Sequence, residues 1–219
     1  MSGPTELDLA PGWFADSDAP VVRAYAERIT AGCDGPVGRA VALFDAVRDG
    51  IWYDPFGVVT DPDDYRASRV AERPAAWCVP KAVLLTAAAR AAGIPARIGF
   101  ADVRNHLNTP RLRDRMGGAD LFAWHGYSAL WLDGRWVKAT PAFNAELCAR
   151  FGVEPIAFDG TADALMHEFD GSGARYMSYE HDRGTFHDLP LVDILATFRE
   201  LYGESMFATP STGRDAFTR

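Results

Sequence analysis

The chain is poor in cysteine. Cys33, Cys78 and Cys148 are its three thiols among 219 residues, too few and too scattered for a disulfide framework or a CxxC zinc site. Thiols that stay free point to a reducing, cytoplasmic setting. Positive charge is also short. With 22 Lys+Arg against 30 Asp+Glu, the formal net charge is −8. Phosphate binding needs a basic footprint, so a nucleic-acid partner is not expected. No apolar run is long enough to span a bilayer: the longest, AVLLTAAA, stops at Arg90. No membrane association is expected. The acidic start, MSGPTELDLAPGW, lacks the basic and apolar regions of a secretory signal. There is no internal repeat, P-loop or GxGxxG pattern. His181 and His187 are six apart and His106 and His167 stand alone, so no histidine cluster has zinc spacing. No EF-hand loop occurs. Neither a metal nor a cofactor is implied.

What remains is ordinary globular material, 48% apolar and 12% aromatic. One domain over residues 1–205 is expected, with a core at 20–144, an extension at 145–205 and a flexible tail at 206–219. Val21, Val22, Tyr25, Ala26 and Ile29 recur at helical spacing from Pro20 to Thr30. Gly35-Pro36 opens a second helix, with Val37, Val41, Phe44, Val47 and Ile51 on one stripe. The Asp-, Pro- and Gly-rich stretch 52–73 reads as loop. Residues 79–92 are apolar all round, the mark of a buried helix, and Gly93 and Pro95 end it. Strands follow at 96–103 and 121–132. Asp133-Gly134 is a two-residue hairpin signal and 135–140 the returning strand. Residues 145–189 give no clear pattern, and Leu191 to Tyr202 form an amphipathic helix. This order is α+β rather than alternating βαβ.

Cys78 carries the most chemical information. In Trp77-Cys78-Val79-Pro80-Lys81 it lies at the start of the buried helix, because Pro favours the first turn. Free N–H groups and the helix dipole favour negative charge there, and Lys81 adds a positive one. Such settings lower a thiol pKa from about 8.5 to roughly 3.5–7.5. The same N–H groups suit the oxyanion of a tetrahedral intermediate. The plainer reading is an inert buried cysteine. His125, in the middle of an apolar strand, is by itself a core histidine. Paired with a thiol it becomes the base and acid that nucleophilic catalysis needs. If the hairpin ladder continues, Thr140, Ala142 and Asn144 share the face of His125. Thr140 and Asn144 are its diagonal neighbours and the candidates to orient the imidazole.

The segments WCVPKAVLLTAAARAAGIPARIGF and WHGYSALWLDGRWVKATP resemble the nucleophile helix and the histidine hairpin of the transglutaminase-like superfamily. The resemblance covers residues 20–144. It implies a papain-like, transglutaminase-core α+β fold, with Cys78 as nucleophile and His125 as base and acid. The family's aspartate falls on Thr140, so the usual carboxylate is missing, and Asn144 is the residue to replace it.

Trp77, beside the nucleophile, is expected to line a substrate channel. Lys81 and Tyr127 are further candidates for substrate contact. The long connection 104–120, with Arg104, Arg111, Arg113 and Arg115, suits a lid that meets an acidic small substrate, or else a solvated loop. The expected partner is a small molecule or peptide. The expected reaction is amide or thioester hydrolysis or acyl transfer. Retro-aldol carbon–carbon cleavage on the same pair and a catalytically inactive binding domain are the alternatives.

Overall fold

The computed structural model describes residues 2–105, 109–166 and 177–207. Helices α1 (Pro20–Thr30) and α2 (Gly35–Gly50) each begin with proline in the first turn, where its missing N–H costs nothing. They bury Val22 and Ala26, and Ala40, Leu43, Phe44 and Val47. The stretch expected as loop carries short elements: β1 (Trp52–Tyr53), α3 (Ala67–Val70) and β2 (Ala75–Ala76). β1 and β2 pair in parallel.

Helix α4 (Cys78–Ala91) is the axis of the molecule, and every residue from Cys78 to Arg90 is buried. Its even apolar surface is matched by cover on several sides, from α1, α2, α3 and the sheet. Burying each of Leu84 and Leu85 stabilises the fold by about 1.5–3 kcal/mol. A polar pin fixes the helix along the sheet: Thr86 Oγ1 lies 2.9 Å from Ser128 Oγ, which donates to Ala82 O at 3.0 Å.

The sheet contains β3 (Ala96–Asn105), β4 (Leu121–Leu132), β5 (Arg135–Ala139) and β6 (Met177–Phe186), in the order β5-β4-β3-β6 and antiparallel throughout. The connection before β4 forms a short helix, α5 (Pro110–Arg115). The β4–β5 register runs from Leu132↔Arg135 to Ser128↔Ala139, as the two-residue turn requires. Asp133 and Gly134 both have positive φ, 47° and 81°, the geometry of the favoured hairpin turn.

Helix α6 (Ala145–Phe151) follows the hairpin, and α7 (Leu191–Tyr202) packs its apolar face on the site end of β4. The C-terminal extension is therefore woven into the core: β6 is a sheet strand, and Asp188 accepts the backbone N–H groups of Trp13, Phe14 and Ala15. Met206, expected in a flexible tail, is buried in a 3-10 turn. Residues 208–219 of that expected tail, and His106 and His167, lie outside the described residues.

Candidate active site

Cys78 is the first residue of α4, with Trp77 as its N-cap. His125 sits on β4, opposite Ala101 of β3. The two elements meet because residue 126 is glycine. A Cβ built there would stand 3.0 Å from Val79 Cα and 3.2 Å from Cys78 O, tighter than most side-chain carbons pack. Without it the helix end settles on the strand, and Cys78 and His125 line one pocket. Both are 6% exposed.

A β-bulge aims the histidine. Between Ala101↔His125 and Val103↔Phe122, β4 advances three residues while β3 advances two. The extra residue puts Trp124 at φ 58°, a conformation bulky residues avoid. Three groups hold it. The Trp124 N–H donates to Asp102 Oδ1 at 3.0 Å, Asp102 is gripped by both arms of Arg183, and Trp124 Nε1 donates to Thr197 Oγ1 at 2.9 Å. One residue earlier, the Tyr202 phenol accepts the Ala123 N–H and donates to Leu121 O. Helix α7 thus grips the backbone just before His125.

The charge state differs from the helix-end expectation. Burial pushes the Cys78 thiol up to about 11, while backbone N–H groups of Gly126, Val79 and Cys78 itself, with Lys81, pull the other way. Burial alone lowers His125 to about 4. Desolvation wins over the dipole because the sulfur is covered on almost every side. The resting pair is neutral thiol and neutral imidazole, where the sequence suggested a thiolate. His125 Nε2 is buried without a hydrogen-bond partner among the described residues, and the buried Thr140 hydroxyl faces the Tyr179 phenol.

The family model of the transglutaminase-like superfamily matches residues 23–141. The chain belongs to the transglutaminase-like superfamily. Three solved structures align with it at low similarity. A proposed cysteine protease from Cytophaga hutchinsonii has 15% identity and a TM-score of 0.47, over 82% of this chain and 53% of that one. The periplasmic domain of TgpA from Pseudomonas aeruginosa has 21% identity and a TM-score of 0.43, over 61% and 45%. A proposed protease from Parabacteroides distasonis has 18% identity and a TM-score of 0.39, over 58% and 25%. The chain spans about half the length of the first of these. No curated protein matches it.

Within this transglutaminase-like framework the other candidate residues separate. Trp77 lines the pocket and packs on Phe198, ring centroids 5.6 Å apart. Asn144 does not reach His125. Its Oδ1 accepts the Tyr53 N–H at 2.6 Å, and its Nδ2 donates to Arg48 O and Ile51 O. The cause is topological: the hairpin ladder stops at Ala139, and the Thr140 N–H turns to Ala164 O. Residues beyond it leave the face of His125.

Lys81 is also turned away from any substrate. It is fully buried, and Nζ donates to Arg48 O, Ile51 O and Ala142 O at 2.7–2.8 Å, using all three of its donors. Burial lowers it to about 7, against the pull of Asp49. Lys81 and Asn144 share two acceptors and tie α4, α2 and the post-hairpin chain together.

Tyr127 packs its ring over Gly99 and its phenol reaches Asp182 at 3.3 Å. It lines a separate cavity with Lys138 and Tyr179, not the Cys78 pocket. Arg104 is paired with Asp120 and lies 3.6 Å from Glu180, so the acidic-substrate role expected of it meets a charge already answered. Arg111 stacks over the Phe56 ring at 5.0 Å. The arginine-rich connection serves the site through its apolar side, as Leu112 and Met116 line the pocket.

Sequence reasoning missed Gly126, Asp102, Arg183 and Tyr202. Only Gly126 left a local signal, a glycine inside a strand pattern, which marks a bulge or a close backbone approach. Among the described residues no helix is long and apolar enough to cross a membrane, and no group of three or more His, Cys, Asp or Glu could hold a metal ion.

Proposed function

We propose that the protein is a cytoplasmic cysteine-dependent enzyme in which the Cys78–His125 pair cleaves an amide or thioester by hydrolysis or acyl transfer. The observation that carries this reading is that the first residue of a buried helix and a strand histidine line one pocket. As the Cys78 sulfur bonds to the carbonyl carbon, its proton passes to His125. Backbone N–H groups at the helix end hold the oxyanion. The intermediate collapses, the carbon–nitrogen or carbon–sulfur bond breaks, and His125 returns the proton to the leaving group. Water or an amine then attacks the thioester with His125 as base, and the acyl group leaves Cys78. Thr140 orients the imidazole in this reading. His125 Nε2 is buried without a hydrogen-bond partner among the described residues, which leaves that nitrogen open to an orienting group. The substrate is a small molecule or peptide.

Cys78→Ala is expected to abolish turnover and the acyl-enzyme seen by mass spectrometry, with the melting temperature retained. Unchanged turnover overturns the reading. A second reading, an inactive binding domain, is favoured by the raised thiol pKa and the unpartnered imidazole nitrogen. It requires that no thioester form on Cys78. Retro-aldol chemistry on the same pair also leaves none, but releases a carbonyl fragment.

A further inference from the structure

The pocket that holds Cys78 and His125 has a selective composition. Leu112 and Met116 come from α5 and its end, Phe122 from β4, and Phe198, Tyr202 and Met206 from α7 and the turn after it. The polar atoms among these are already committed. The Tyr202 phenol donates to Leu121 O at 2.8 Å and accepts the Ala123 N–H at 2.7 Å. Cys78 and His125 are both neutral at rest. Asp54, Arg115 and Arg111 interact with one another beside the pocket residue Pro55, and the Lys81 ammonium is spent on three backbone carbonyls. A charged group entering this space gives up its hydration for a mainly apolar lining, which is unfavourable. An apolar group gains by leaving water.

We propose that the Cys78 pocket selects an uncharged, apolar acyl group, and that α7 and Met206, beyond the matched residues 23–141, set this preference. The proposal rests on the acyl-transfer reading above for the word acyl, but not for the pocket's selectivity. It departs from the acidic substrate that the arginine-rich connection suggested.

Two measurements separate the selectivity from the chemistry. In the first, unreactive amides protect Cys78 from iodoacetamide, with labelling read on the Cys78 peptide. Isovaleramide and phenylacetamide are expected to protect at least about tenfold more tightly than succinamate. Equal or better protection by succinamate, or no protection by any of the three, overturns the proposal. Met206→Asp is expected to remove the apolar preference, and Phe198→Ala to shift it towards phenylacetamide. A preference unchanged in both folded variants overturns the role of α7 and Met206.

In the second, S-phenyl thioesters of isovaleric and succinic acid are offered. Acylation forms the Cys78 carbon–sulfur bond, breaks the bond to thiophenol, and sends the thiol proton to the leaving sulfur. Protection by isovaleramide without any acyl-enzyme leaves the pocket preference standing and removes the proposed reaction. Equal acylation by both thioesters does the reverse.

Discussion

Cys78 and His125 illustrate how burial outweighs position at a helix end. A thiol at the first helical residue is normally a candidate for a low pKa, yet here the sulfur sits at about 11 and the imidazole at about 4. In the proposed reaction the proton therefore stays on sulfur until substrate arrives, and His125 serves as a base during attack rather than holding a preformed ion pair. Alkylation of Cys78 in the free protein is expected to keep rising with pH beyond the ordinary thiol value of about 8.5. His125→Ala is expected to leave that profile in place while removing turnover. An alkylation rate that levels off below neutral pH contradicts this account. The same residues show what the sequence reveals. Cys78 and His125 were legible because Pro80, Gly93-Ile94-Pro95 and Asp133-Gly134 mark the elements that carry them. Lys81 and Asn144 were not. A helix apolar on all sides gives no clue to which neighbour a polar residue faces, and strand alternation cannot be extended past the point where Thr140 leaves the ladder.

At the scale of elements, the decisive contact is that between the start of α4 and the middle of β4. Gly126→Ala places a methyl group 3.0 Å from Val79 Cα and 3.2 Å from Cys78 O. The backbone must give way, because neither neighbour is the end of a flexible side chain. The variant is expected to lose about 1–3 kcal/mol of stability, measured by denaturant unfolding. Its turnover should fall by more than that loss explains, since the helix end carrying the nucleophile moves. An active variant of wild-type stability contradicts the tight approach. The hairpin was legible down to its register because one turn type fixes the pairing. The bulge at Trp124 was not, since it is imposed by Asp102, Arg183 and α7, all distant in sequence. The short elements between residues 52 and 76 were not legible either, as the Pro and Asp residues around them read as loop.

For the whole molecule, buried titrating groups couple stability to acid. An unfolded histidine takes up a proton near pH 6.5, whereas folded His125 does so only near 4. Between these values the unfolded state holds the extra proton, so stability is full above about 6.5 and declines as pH falls towards about 4. Asp8 extends the decline. Burial opposes its ionisation, but Arg97 and the Thr5 N–H hold it to about 2, so its contribution is present above the ordinary carboxyl value of about 3.8 and fades below it. Melting temperatures measured across this range are expected to fall for the wild-type chain and to fall less for His125→Gln between about 6.5 and 4. Equal slopes exclude His125 as the source. The α+β architecture was legible from element order alone. The integration of residues 177–207 was not, because β6 pairs with a strand more than seventy positions earlier and nothing local announces such a pairing.

The helix that completes the cavity wall is among the last described parts of the chain, and its docking on β4 runs through Thr197 and Tyr202. A polypeptide leaving the ribosome exposes Cys78 long before that wall exists. Trapping of Cys78 by a thiol reagent, timed during refolding, therefore works as a clock for the final assembly step. The thiol reacts more slowly once α7 seats.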